Sequence, residues 1–190
     1  LLTWLEREDK LFRTFEKFII SARLEDGFVI NDDVDVDGFI SFSLSVQNRR
    51  KSRAGHSLEN QIEYLLKARD ICYTRNPITE NRSRPDFIFP SIDAYRDESY
   101  PAYNLTMLGV KSTCKDRWRQ VLSEADRIGA KHLLTLEAAI SENQTEEMKD
   151  RNLQLVVPKK IQSSYTDIQK NWLFSVNDFL HFVKEKQILS

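Results

Sequence analysis

The amino-acid sequence predicts an α/β fold, a central mixed β-sheet flanked by helices. Segments with helical spacing of apolar residues alternate with short apolar runs, the pattern of helices layered on a sheet. Two of those runs, HLLTL at 132–136 and LQLVV at 153–157, are almost unbroken, as strands covered on both faces are. With 190 residues, 41% hydrophobic and 30% charged, the chain is long enough to enclose a core without disulfide or metal.

From the start, residues 1–24 place Leu5, Leu11, Phe12, Phe15, Ile19 and Ile20 broadly on one side of a helix. The acidic stretch EDGFVINDDVDVDG reads as a loop, and FISFSLSV at 39–46 as a short strand. Ser57 is a good helix cap and opens SLENQIEYLLKARD, an amphipathic helix with Leu58, Ile62, Leu65 and Leu66 as its stripe. Strands are expected near 71–74, 86–90 and 105–113. KDRWRQVLSEADRIGA then predicts a helix with Trp118, Val121, Leu122, Ala125 and Ile128 inward and Gly129 near its end. A short helix separates the two apolar strands, and SVNDFLHFVKEKQ forms a final one. No linker divides the chain. A single domain over 1–190 is expected, with 1–30 as an N-terminal helical segment.

Composition narrows the function. No apolar stretch approaches 18 residues and no basic-then-apolar leader opens the chain, so neither a membrane span nor secretion is expected. Two cysteines, Cys72 and Cys114, fit a reducing cytoplasm. The chain opens on Leu1 rather than Met, which points to a fragment or a trimmed chain. A net charge of −1 argues against general adhesion to nucleic acid but leaves room for local patches. NRRKSRAGH supplies Arg49, Arg50, Lys51 and Arg53, and a second group comprises Lys111, Lys115, Arg117 and Arg119. Alone, either is an ordinary solvated face.

Several motifs fail. Asp33, Asp35, Asp37 and Gly38 resemble the start of a calcium loop, but its twelfth position is Leu44 instead of a bidentate Glu. His56, His132 and His181 lack zinc spacing. No Gly-rich phosphate loop and no Gly-x-Ser-x-Gly elbow occurs.

One constellation survives. In RPDFIFPS, Asp86 follows Pro85; in GVKSTCKDRWRQ, Lys111 ends a second strand-like run. Phosphodiester hydrolysis needs carboxylates to hold Mg²⁺ with open water positions, and a lysine to steady water or phosphate. Adjacent strands are about 4.8 Å apart, so side chains on one face near their ends can share a phosphate. Glu59 and Glu63, four apart, share a helix face. Glu124 lies among the inward-facing positions after Lys111. A solvated helix glutamate is the plain alternative for each of these glutamates, and Pro–Asp pairs are common in turns.

RPDFIFPS followed by GVKSTCKDRWRQVLSEADRI resembles the PD-(D/E)xK nuclease superfamily, in the variant whose missing acid is displaced onto the following helix. Gly109 stands where the usual acid would be, and Glu124, thirteen residues after Lys111, where the displaced one occurs. More narrowly, RKSRAGHSLENQIE, CKDRWRQ, HLLTL and LQLVVP resemble the C-terminal catalytic domain of EcoRII-type restriction endonucleases, over a nuclease core at 47–165.

The resemblance implies a restriction-endonuclease-like core and Mg²⁺-dependent cleavage of double-stranded DNA at a short palindromic CC/GG-type site, CCWGG-like, leaving 5′-phosphates. Asp86 and Glu124 would hold Mg²⁺, and Lys111 would meet phosphate and water. Glu59 would be the additional acid, with Glu63 as the alternative. Lys115, Asp116 and Arg117 would read bases, since Lys and Arg donate to guanine and Asp accepts from cytosine. Arg49, Arg50, Lys51 and Arg53 would meet backbone phosphates, and Arg13 a flipped-base pocket. A homodimer, a prokaryotic cytoplasmic location and an upstream regulatory DNA-binding domain are further implications. A repair-type nuclease and a non-catalytic DNA-binding module remain alternatives; the clustered KDRWRQ set argues against the first and the retained acids against the second.

Overall fold

A computed structural model of the chain describes residues 1–114 and 117–188. It divides into two compact units, Leu1–Gln61 and Ile62–Ser190, and the division falls inside a long helix.

The first unit holds α1 (Leu2–Glu25), a small hairpin of β1 (Val29–Ile30) and β2 (Asp33–Val34), and most of α2 (Val36–Lys67). Residues 39–46, expected as a strand, are helical. Their β-branched and aromatic content imitates a strand, but Phe39, Phe42 and Val46 recur at helical spacing. The Phe28 ring packs on Phe39 and Phe42, with centroids 5.4 and 5.6 Å away. The acidic turn starts α2, because Asp35 accepts the Gly38 N–H at 2.8 Å, as a helix N-cap does. A Cβ at Gly38 would overlap that carboxylate. Ser57 caps nothing, because α2 is already under way; its hydroxyl donates to Glu8.

The second unit is built on a five-stranded sheet ordered β3 (Thr74–Arg75), β4 (Phe87–Phe89), β5 (Thr106–Lys111), β6 (Lys131–Thr135) and β7 (Leu153–Val156). β3 pairs with β4 and β4 with β5 antiparallel, while β5, β6 and β7 pair parallel in turn. The helices are α3 (Ile92–Arg96), α4 (Trp118–Leu122), α5 (Glu142–Asp150), α6 (Asp167–Lys170) and α7 (Val176–Ile188). This is the expected mixed sheet flanked by helices.

Strand alternation assigns two faces. Phe87, Phe89, Leu108 and His132 share one, where Phe179 of α7 meets Phe89 and His132 at 5.8 and 5.1 Å between centroids. Ile88, Met107, Gly109 and Leu133 share the other, with Trp118 and Val121 of α4 packed above. The helix expected over 115–130 is shorter in its described part. It ends at Leu122, and Ala125 takes a left-handed φ of 51°, which turns the chain while keeping Ala125 and Ile128 buried.

Candidate active site

Alternation puts Asp86, just ahead of β4, and Lys111, at the end of β5, on the face covered by α4. Asp86 is 6% exposed. Its Oδ2 accepts the Val110 N–H at 2.6 Å and the Lys111 ammonium at 3.1 Å. Extending the β4–β5 register by two residues brings Pro85 opposite Val110. The Asp86 side chain takes the Val110 N–H where the ladder stops, which gives the Pro–Asp pair its local meaning.

Glu124 arrives from above. α4 lies so close to β5 that a Cβ on Gly109 would sit 3.0 Å from Val121 Cγ2. Glu124 follows two residues after that helix. Its Oε2 is buried and has no hydrogen-bond partner among the described residues. Burial pushes the carboxyl up to about 7; the Lys111 charge opposes this and the Asp86 charge adds to it. Lys131, unforeseen from sequence, donates to the Leu122 carbonyl at 2.7 Å and also acts on Glu124. A lysine opening an apolar run was the available signal.

The donor set fits a hard divalent cation. Two acidic oxygen donors, one unsatisfied, stand beside a lysine; Mg²⁺ is commonly held by one or two carboxylates and retains waters. Among the described residues no group of three or more His, Cys, Asp or Glu forms. The arrangement sets an acidic oxygen without a partner and a lysine ammonium near one another, the donor types that a cation and an anionic oxygen would need.

The other expected site residues divide. Glu63 is occupied: it accepts from Tyr73 Oη at 2.8 Å and Arg75 at 2.6 Å, and pairs with Lys67 at 3.1 Å. The Tyr73 hydrogen bond leads in holding its carboxyl below the usual range. Glu59 is half-buried on α2 in the first unit. Lys115 and Asp116 lie outside the described residues. Arg117 is exposed, and its N–H donates to the Cys114 carbonyl at 2.8 Å. Arg119 spans Trp118 and Glu147, 4.6 Å from the ring centroid and 2.8 Å from the carboxylate.

In the first unit, Arg50 pairs with the buried Glu16 at 2.7 Å, and Arg53 pairs with Asp9 at 2.5 Å and covers Phe12. Arg49 and Lys51 are exposed. Arg13 pairs with Asp9 at 2.6 Å and lines a cavity with Glu16, Lys17, Ile20, Ser21 and Arg50.

The family profile described as EcoRII C terminal matches residues 12–180. The type II restriction enzyme EcoRII of Escherichia coli is 45% identical over 146 residues, covering 76% of this chain and 36% of that protein. The chain thus spans about a third of the length of that relative. Two solved structures share the fold. Metal-depleted Ecl18kI with uncleaved, modified DNA superposes with a TM-score of 0.76 at 23% identity, over 96% of this chain and 67% of that one. The same protein with uncleaved DNA gives 0.76 at 22%, over 97% and 68%. By its sequence match, this chain belongs to the EcoRII C terminal family.

Proposed function

We propose that the chain is a site-specific endonuclease that hydrolyses double-stranded DNA at a short palindromic CC/GG-type site, with Mg²⁺ held by Asp86 and Glu124. The observation that carries this reading is the buried, unsatisfied Oε2 of Glu124 beside Asp86 and Lys111. Membership of the family supports it. When bound, Mg²⁺ would supply Lewis-acid stabilisation of charge on the phosphate. Asp86 holds the Lys111 ammonium in place through the 3.1 Å contact. Lys111 orients the scissile phosphate as a point charge. Glu59 is the preferred additional acid by its place directly after GHSL, with Glu63 as the alternative.

Lys115, Asp116 and Arg117 read base edges four to six residues beyond Lys111 in the chain, each good contact being worth roughly 1–3 kcal/mol against a wrong base. Arg49, Arg50, Lys51 and Arg53 suit backbone phosphates, Arg50 and Arg53 being oriented by Glu16 and Asp9, and Arg13 suits a pocket for an extruded base. A palindromic site calls for a twofold dimer. Leu11, Phe15 and Phe18 are 74%, 64% and 73% exposed, and with Trp4 they line one face of α1, an apolar stripe suited to a second copy. No helix among the described residues is long and apolar enough to cross a membrane. Cys72 and Cys114 are unpaired, which suits the cytoplasm of a prokaryote.

The test is incubation of the chain with a plasmid of mixed sites and Mg²⁺, beside Lys111→Ala and Glu124→Gln chains, with sequencing of the ends. Discrete 5′-phosphate ends flanked by CC and GG are expected from the unaltered chain. The variants should lose at least about 100-fold in rate. Scattered nicks, or cutting that survives Lys111→Ala, would overturn the reading.

A further inference from the structure

Cys114 and Glu137 meet beyond the ends of two parallel strands. β5 ends at Lys111 and β6 at Thr135, and these two residues are register partners. Past those ends the Cys114 N–H donates to Glu137 Oε2. The acceptor is itself tied down twice. Its own N–H donates to Thr135 Oγ1 at 3.1 Å, and its carbonyl accepts from Tyr165 Oη at 2.7 Å. Thr135 is wholly buried and Tyr165 is 3% exposed, so both ties come from the packed interior of the unit. On the other side, the Cys114 side chain is buried and its carbonyl accepts the Arg117 N–H at 2.8 Å.

We propose that Glu137 is a positioning residue for sequence recognition: by holding the Cys114 N–H, it fixes the chain just ahead of Lys115–Arg117 relative to Lys111. The inference rests on the reading that Lys115–Arg117 contact bases, and goes beyond it by assigning the support. Contacts to base edges discriminate only when their donors stand within a few tenths of an ångström of place. Lys111 is held by the sheet and by Asp86. The chain leaves that sheet after Lys111, so Cys114 needs an anchor of its own, and the exit of the neighbouring strand provides it. A carboxylate is suited to this because its hydrogen bond to a backbone N–H is charge-assisted.

The test compares the full chain with Glu137→Ala, Glu137→Gln and Tyr165→Phe on a plasmid library with Mg²⁺. The readout is the ratio of cleavage at the preferred site to cleavage at sites altered by one base pair, with kcat and KM for each and a melting curve. Glu137→Ala should lower that ratio about tenfold or more, the scale of one hydrogen bond to a charged group. Glu137→Gln retains an acceptor oxygen and should restore most of the ratio. Tyr165→Phe loosens the same anchor from behind and should show a smaller fall; it decides the matter if Glu137→Ala does not fold. An unchanged ratio, with all sites slowed equally, means a merely structural role and overturns the inference. If the unaltered chain cuts no duplex, the endonuclease reading fails and takes this inference with it, a different outcome from an active enzyme whose discrimination ignores Glu137.

Discussion

Val121 stands where a side chain on Gly109 would have to be. A Cβ at Gly109 would meet Val121 Cγ2 at 3.0 Å and Cγ1 at 3.3 Å. The absent side chain lets α4 approach β5, and that approach delivers Glu124 to Asp86 and Lys111. An acid two before the lysine would crowd Val121 and require it to give way.

Gly109→Ala should therefore overpack this contact and cost about 1–3 kcal/mol of stability. A urea titration followed by circular dichroism checks it. Gly109→Glu should be worse, and should not restore cleavage to a Glu124→Ala chain, since its first side-chain carbon already crowds Val121.

Glu59 and Glu63 should separate by phenotype. Glu63→Gln weakens the cluster with Tyr73, Arg75 and Lys67 and should cost about 1–3 kcal/mol. Glu59→Gln should lower the cleavage rate more than Glu63→Gln does. Parallel urea melts and single-turnover cleavage of both variants give the answer; the reverse pattern would reassign the additional acid to Glu63.

Acid should weaken the second unit through His132. Burial, aided by the Lys186 charge, holds its imidazole down at about 4 against 6.5 in an exposed chain. Its Nδ1 is buried without a hydrogen-bond partner among the described residues, and Phe174, Phe179 and Phe182 surround the ring. The unfolded chain then binds the proton more tightly. The contribution is complete above pH 6.5 and is lost as pH falls towards 4, reaching about 3 kcal/mol. His132→Leu should flatten that part of the stability profile, measured by urea melts from pH 4 to 8.

The apolar stripe of α1 allows assembly to be tested. Leu11→Asp with Phe15→Asp alters two exposed positions and should leave the fold intact. Sedimentation equilibrium should show a dimer for the unaltered chain and a monomer for this variant. A monomeric unaltered chain at tens of micromolar would remove the dimer from the proposal.

The sheet and the spacing of Asp86, Lys111 and Glu124 were legible because they are written locally, as apolar runs and offsets along the chain. What was not legible depends on distant partners. Arg50 and Arg53 read as one basic patch, yet their partners Glu16 and Asp9 lie 34 and 44 residues away. Residues 39–46 look strand-like by composition, and only packing against Phe28 brings out their helical spacing. The helix after Lys111 was overextended because its inward positions persist beyond Leu122; the left-handed turn at Ala125 keeps the burial and ends the helix. Glu137 carries no local mark, since its value lies in one N–H on the neighbouring strand's exit.

The burial of Cys114 gives the protein an internal clock. Cys72 is exposed, whereas the Cys114 thiol is enclosed and pushed up to about 12, chiefly by burial. An alkylating reagent should consume Cys72 at once and reach Cys114 only when the chain around it lifts from the unit. The slow phase of thiol labelling thus times the opening of the stretch that leads into Lys115–Arg117. A bound duplex that clamps this stretch would lengthen that phase without any probe being attached.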